Sequence, residues 1–162
     1  KDLEAIKIAK KMKINNFALS FTNSPKDIFF FNKILSKERK IIKIETKKAV
    51  KNIEKILKHC DEILIDRGDL SKEINIIEVP KAQRKIQKIA NKKDKKVYIA
   101  TNLLESMVSK PYPTRAEIND IYNCLELGAD GLVLAAETAV GKWPLECIKI
   151  MSDVIKNYSK AI

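Results

Sequence analysis

The stretch IIKIETKKAVKNIEKILKHCDEILID, residues 41–66, decides the fold class because it combines a strand, a helix and a second strand. IIKIE (41–45) and EILID (62–66) are short and rich in Ile and Leu, as strands covered on both faces are. Between them, apolar residues recur at helical spacing over residues 48–57. Two such strands joined by a helix predict a right-handed crossover in a parallel sheet.

The same alternation continues along the chain in both directions. We therefore predict an α/β chain of about five parallel strands with intervening helices. Periodicity leaves open whether the strands form a doubly wound sheet or most of a barrel, although no Gly-rich phosphate loop follows the first strand. The predicted strands are 17–21, 41–45, 62–66, 97–101 and 131–135, and the predicted helices are 2–12, 26–35, 48–57, 79–90, 116–126 and 144–158.

Composition narrows the classes of partner. The net charge of +11 comes mostly from Lys scattered along all 162 residues, so we expect a lysine-rich surface and no nucleic-acid partner. No run of about 18 apolar residues occurs, which gives no reason to expect a membrane partner. Cys60, Cys124 and Cys147 suit neither a disulfide framework nor paired zinc ligands, and we expect a cytoplasmic location.

Polar residues are gathered at the carboxyl ends of the predicted strands, where a buried strand normally avoids them. In parallel α/β folds these ends share one face, on which barrel active sites are built. The sequence therefore predicts one site at that face. The residues concerned are Lys43, Glu45, Arg67, Gly68, Asp69, Thr101, Asn102, Glu137 and Thr138.

This set of residues suits a divalent metal and an anionic substrate. Glu45 and Asp69 offer hard oxygen ligands of the kind that Mg²⁺ or Mn²⁺ prefers. Lys43 points to the same side of its strand as Glu45, where its charge can stabilise an enolate or a migrating phosphoryl group. The backbone N–H groups of Gly68 and Asp69 are candidates for binding a carboxylate or phosphate. Two alternatives stay open: Lys43 can be a simple ion-pair partner, and Asp69 can be a helix N-cap.

Three motifs resemble those of pyruvate kinase. ATNLLESMVSKPYPTRAEINDIYNCLELGADGLVLAAETAVGKWPLE (100–146) is similar to the family pattern ATQMLESM, PTRAE, GAD and ETAxGxxPxE. DEILIDRGDL (61–70) resembles the segment D-x-I-x-x-x-RGDL, and IIKIET (41–46) resembles the signature around the catalytic lysine. The resemblance extends over essentially the whole chain and implies part of a (β/α)₈ barrel.

The resemblance implies a role for each matching residue. Lys43 matches the lysine that stabilises the transition state, and Glu45 and Asp69 match the ligands of Mg²⁺ or Mn²⁺. Gly68, Asp69 and Thr101 match positions that bind the carboxylate of phosphoenolpyruvate. The implied reaction transfers the phosphoryl group of phosphoenolpyruvate to ADP, giving pyruvate and ATP in glycolysis. A complete enzyme of this family is further expected to be cytoplasmic and homo-oligomeric, with K⁺ as a possible second cation.

The chain also departs from the family pattern. Ile42 replaces a small residue, Lys48 replaces an acidic or polar one, and Asn102 replaces Gln. Ala135 and Ala136 replace Ser-Gly, which removes a hydroxyl near the enolate and bears on proton delivery.

By the resemblance, residues 1–162 correspond to the fourth to eighth strands, without the first three strands, the lid domain or the C-terminal domain. We therefore expect no kinase activity from this stretch alone. Three hypotheses remain: part of a pyruvate kinase, a freestanding Mg²⁺-dependent oxo-acid-binding protein or lyase, and an inert interaction module.

Overall fold

A computed structural model describes residues 2–160 and shows an α/β fold with five parallel strands. This confirms the predicted class. The strands are β1 (Asn16–Leu19), β2 (Arg39–Ile44), β3 (Glu62–Asp66), β4 (Lys96–Ala100) and β5 (Gly131–Val133). The helices are α1 (Asp2–Lys11), α2 (Pro25–Ile34), α3 (Lys47–Ile56), α4 (Arg67–Glu73), α5 (Val79–Asn91), α6 (Arg115–Glu126), α7 (Ala136–Ala139) and α8 (Pro144–Lys160).

The strands lie side by side in sequence order, with β1 and β5 at the two edges of an open sheet. Ile44 is in register with Ile65, and Ala100 is paired with both Asp66 and Val133. This register places the residues that follow β2, β3 and β4 along one end of the sheet. The architecture is therefore that of a partial barrel whose sheet is not closed.

The two faces of the sheet differ in burial. Ile42, Ile44, Ile63, Ile65 and Ile99 are all fully buried beneath the helices. The intervening side chains on the opposite face are only partly buried, among them Lys43, Leu64 and Tyr98. The expectation of strands covered on both faces is thus wrong for residues 2–160, because helices pack against one face alone.

Two short helices were not among the predicted elements. Helix α4 follows β3 directly, and α7 begins immediately after the predicted fifth strand (131–135), although the strand itself ends early at Val133. Both are shorter than the window over which helical periodicity can be recognised. Both also lie at the carboxyl end of the sheet, where they position side chains around the candidate site.

No helix between Asp2 and Lys160 is long and apolar enough to cross a membrane. Cys60, Cys124 and Cys147 are all free thiols, and the last two are fully buried.

Candidate active site

Lys43 lies between two carboxylates at the carboxyl end of the sheet. Its Nζ is 2.9 Å from Glu45 Oε2 and 3.0 Å from Asp66 Oδ2. Burial lowers the pKa of the Lys43 ammonium, but the contacts with Glu45 and Asp66 outweigh burial and raise this pKa above its ordinary value. Lys43 is therefore a fixed positive charge whose side chain remains one-fifth exposed at the site.

Glu45 is fully buried directly after β2. Its Oε1 accepts a hydrogen bond of 2.5 Å from the backbone N–H of Phe21, a residue with a positive φ of 52°. Its Oε2 has no hydrogen-bond partner among residues 2–160 and contacts Lys43 only as an ion pair. This buried oxygen is thus stabilised by one ammonium alone, and that ammonium is shared with Asp66.

Three carboxylates could share a cation here. Oxygens of Glu45, Asp66 and Asp69 all lie within 4.8 Å of one another. Two oxygens bound to Mg²⁺ at about 2.0–2.1 Å are at most about 4.2 Å apart, so a shift of about 0.6 Å brings the outermost pair into range. Asp69 can make that shift, because among residues 2–160 its carboxylate pairs only with the exposed ammonium of Lys72, at 2.8 Å. The donors thus fit a hard divalent cation.

Asp69 is not the helix N-cap that the sequence left open. Helix α4 begins at Arg67, so Asp69 lies within its first turn. The N-cap is Asp66, whose Oδ1 accepts from the backbone N–H of Asp69 at 3.4 Å. The contact with Lys72 lowers the pKa of Asp69, which keeps its carboxylate charged at neutral pH.

Thr101 and Gly68 are in direct contact. The Gly68 N–H donates to Thr101 Oγ1 at 2.7 Å, and a Cβ on Gly68 would lie only 3.3 Å from that oxygen. Thr101 and the following Asn102 have positive φ values of 70° and 53°. Residues other than Gly rarely adopt this backbone conformation. Strain of this kind is concentrated at ligand-binding sites.

Arg67 holds this strained turn in place. Its guanidinium donates to the carbonyl of Thr101 from Nε at 3.0 Å and from Nη2 at 2.7 Å, and Nη2 also donates to the carbonyl of Asn102 at 2.8 Å. Its Nη1 pairs with Asp120 on α6. Arg67 was among the polar residues gathered by sequence, but no pattern in the sequence indicated that it binds backbone carbonyls.

Asp66 is the site residue that sequence reasoning missed. It is 8 % exposed and contacts Lys43, Thr101 and the start of α4. The signal was present, since an acidic residue ends the otherwise apolar run EILID. From the sequence, Asp66 is placed only as the last residue of the predicted strand 62–66.

The family model described as pyruvate kinase, barrel domain, matches residues 1–148. The chain belongs to the pyruvate kinase family. The pyruvate kinases of Thermotoga maritima and Methanocaldococcus jannaschii are 46 % and 40 % identical to it over 100 % and 96 % of its length. A pyruvate kinase of Mycobacterium tuberculosis is 36 % identical over 96 % of the chain.

The chain spans about a third of the length of these pyruvate kinases. The alignments cover 36 % of the Thermotoga and Methanocaldococcus proteins and 34 % of the mycobacterial one. The family resemblance stated from the motifs is therefore confirmed, while the roles of individual site residues stay predictions.

The segment that departs from the pyruvate kinase pattern is held by Glu137. This carboxylate is 1 % exposed and accepts from the backbone N–H groups of Leu103, Leu104 and Ala135 at 3.3, 3.0 and 2.8 Å. Burial raises the pKa of Glu137, but these N–H donors outweigh it and lower the pKa overall. Glu137 thus joins the segment after β4 to the segment after β5.

A second carboxylate, Glu117, orders the segment that follows Thr101. It accepts from the N–H and hydroxyl of Ser106 at 2.7 and 2.6 Å, and it forms a capping box with Thr114 at the start of α6. Burial raises its pKa, but the hydrogen bonds from Ser106 and Thr114 lower it below the ordinary value of 4.5.

Replacing Glu117 with Gln is expected to weaken the acid dependence of stability. Because the folded-state pKa is depressed, the charged carboxylate stabilises the fold above about pH 4.5, and this contribution is lost as pH falls through the lowered pKa. Urea unfolding at pH 7 and at pH 3 measures the effect, with Glu126→Gln on the exposed side of α6 as control. An identical loss of stability on acidification in wild type and Glu117→Gln would contradict this account.

Proposed function

We propose that this chain supplies the metal and phosphoenolpyruvate half of a pyruvate kinase active site. The observation that supports it is the meeting of Lys43, Glu45, Asp69, Gly68 and Thr101 at the carboxyl end of one parallel sheet. In the proposed reaction, the phosphoryl group of phosphoenolpyruvate passes to ADP, and the enolate that remains is protonated to pyruvate.

Lys43 is the proposed catalytic residue. Its ammonium is fixed by Glu45 and Asp66, yet enough of it is exposed to face a substrate. A fixed cation stabilises the negative charge that develops on the transferred phosphoryl group and on the enolate oxygen, and it does so without reorganising. The raised pKa keeps Lys43 protonated at neutral pH.

Glu45 and Asp69 are the proposed metal ligands, with Mg²⁺ or Mn²⁺ as the cation. When bound, such an ion polarises the substrate oxygens and offsets their charge. One oxygen of Glu45 is fixed by the Phe21 N–H, and the other, which contacts the Lys43 ammonium, is the one proposed to reach the cation. Asp69 approaches from the first turn of α4, the helix that follows the neighbouring strand β3.

Gly68, Asp69 and Thr101 are the proposed binding positions for the carboxylate of phosphoenolpyruvate. The Gly68 N–H donates to the Thr101 hydroxyl oxygen, and the Thr101 hydroxyl donates to the Ala100 carbonyl. The same two groups can turn to an incoming carboxylate, and the backbone there is held by Arg67. The absence of a Cβ on Gly68 leaves room for this close approach.

The rest of the active site is proposed to come from parts of the protein other than residues 1–162. We propose that residues 1–162 form the part of the barrel with the fourth to eighth strands, and that the first three strands, a lid and a C-terminal domain complete it. ADP, K⁺ and a homo-oligomeric, cytoplasmic enzyme belong to this complete protein. The two uncovered edges, β1 and β5, are where further strands would join the sheet.

A freestanding oxo-acid-binding protein or lyase is the second candidate. Ala135 and Ala136 favour it, since a Ser hydroxyl that the family pattern places beside the enolate is missing. An inert interaction module is less compatible with the three carboxylates gathered around Lys43, of which Glu45 is fully buried.

The protein encoded by the intact gene tests the proposal. With phosphoenolpyruvate, ADP and Mg²⁺, we expect ATP and pyruvate in equal amounts, and we expect neither when the metal is chelated. A folded protein that binds oxalate with Mg²⁺ but makes no ATP would favour the second candidate.

A further inference from the structure

Asp66 occupies the centre of the polar cluster, although the family pattern D-x-I-x-x-x-RGDL leaves its position open. It is the last residue of β3 and its side chain is 11 % exposed. Oδ2 contacts the Lys43 ammonium at 3.0 Å, while Oδ1 lies 3.4 Å from both the Asp69 N–H and the Thr101 hydroxyl. Both contacts of Oδ1 are at the long limit for hydrogen bonds.

The capping role does not explain a carboxylate at this position. Asn and Ser cap helices about as well as Asp, and neither carries a charge that must be buried. At 3.4 Å the cap that Asp66 provides is weak. A buried charge is retained where it is paired or where it binds a cation.

Pairing within the chain does not balance the charge here. Glu45 and Asp66 share the single ammonium of Lys43, and Asp69 has only Lys72, which is 76 % exposed. The other nearby cation, Arg67, is occupied by Asp120 and by two backbone carbonyls. The buried part of the cluster therefore lacks positive charge.

The fully buried Glu45 gives an independent indication of where that charge is missing. Its Oε2 has no hydrogen-bond partner among residues 2–160 and contacts only the Lys43 ammonium, which Asp66 shares. One oxygen of Glu45 belongs to a group of three carboxylate oxygens that lie within 4.8 Å of one another. The other two oxygens of the group belong to Asp66 and Asp69. A cation among them would contact all three once the outermost pair has closed by about 0.6 Å.

We propose that Asp66 is a third carboxylate ligand of the divalent-metal site. This inference rests on the proposed function, because it concerns the same metal. A third carboxylate strengthens binding of the cation before any substrate is present. It also adds one negative charge near the anionic substrate, so it favours the metal at the expense of substrate attraction.

Mn²⁺ binding to the intact gene product tests this, with no substrate present and with free Mn²⁺ followed by electron paramagnetic resonance. Asp66→Asn is expected to raise the Kd for Mn²⁺ roughly tenfold or more, as loss of a charged ligand does. At saturating Mn²⁺, the Kd for oxalate is expected to stay within about threefold of the wild-type value or to fall. Asn keeps both the shape and the N-cap, so this variant is expected to fold.

Asp61→Asn is the matched control, because it removes the same charge at the opposite end of β3, roughly 16 Å away. Its side chain is 93 % exposed, and it is expected to leave Mn²⁺ binding unchanged. Asp66→Ser provides a second capping variant without a carboxylate, and its Kd is expected to rise as well.

The outcomes separate this inference from the proposed function. Equal Mn²⁺ affinity in wild type and Asp66→Asn would overturn it, as would unfolding of both Asp66 variants, which would make Asp66 a structural cap. A second outcome is Mn²⁺ binding that depends on Asp66 in a wild-type protein that does not bind oxalate. It would support Asp66 as a metal ligand and contradict the proposed function.

Discussion

Replacing Lys43 with Met is expected to lower kcat for phosphoryl transfer by roughly 10²–10³-fold in the intact gene product. The loss follows from removal of a fixed charge that acts on the developing negative charge in the transition state. Met keeps most of the length of the side chain, so changes in packing are small. The coupled production of ATP and pyruvate measures the effect.

Lys48→Met on the exposed surface of α3 is the control, and its kcat is expected to match wild type. Metal-dependent oxalate binding in Lys43→Met separates loss of charge from loss of the site, because Glu45 and Asp69 remain in place. A kcat within threefold of wild type would contradict the catalytic role of Lys43 and leave it as an ion-pair partner of Glu45 and Asp66.

Replacing Glu137 with Ala is expected to lower the free energy of unfolding by about 3–4 kcal/mol. Three backbone N–H groups, those of Leu103, Leu104 and Ala135, then lose their acceptor, and the first two residues are fully buried. Both segments around the site depend on these bonds. Urea unfolding at pH 7 measures the change.

Glu146→Ala removes an exposed carboxylate on α8 and is expected to change stability by no more than about 0.5 kcal/mol. Glu137→Gln keeps one acceptor oxygen and is expected to fall between Glu137→Ala and wild type. Similar free energies of unfolding for Glu137→Ala and Glu146→Ala would show that the N–H groups find other acceptors. The role assigned to Glu137 would then be wrong.

The fold could be predicted from sequence because its strands and long helices follow distinct periodicities. β3 begins and ends at the predicted residues, 62 and 66, and α5 extends one residue beyond its prediction. The end of β5 could not be predicted, because the apolar run 131–135 continues two residues beyond Val133, where the strand ends. The Ala135 N–H donates to Glu137 and is not part of the sheet. The partial exposure of one sheet face could not be predicted either. An apolar strand sequence does not show which elements cover each of its two faces.

The site could be predicted in part. Lys43 and Glu45 were expected to share a side of β2, and they are in contact at 2.9 Å. Asp66 was missed because only the structure shows that its side chain turns toward Lys43. The role of Arg67 depends on the positive φ values of the turn that it binds, which no sequence pattern indicated.

Calorimetric titration of oxalate into the intact gene product, with and without Mg²⁺, tests the central claim most directly, because oxalate mimics the enolate of pyruvate. The account predicts binding that requires Mg²⁺ and that is abolished by Glu45→Ala. Absence of binding to a folded protein, or binding that is independent of both Mg²⁺ and Glu45, would contradict a working metal and oxo-acid site at this end of the sheet.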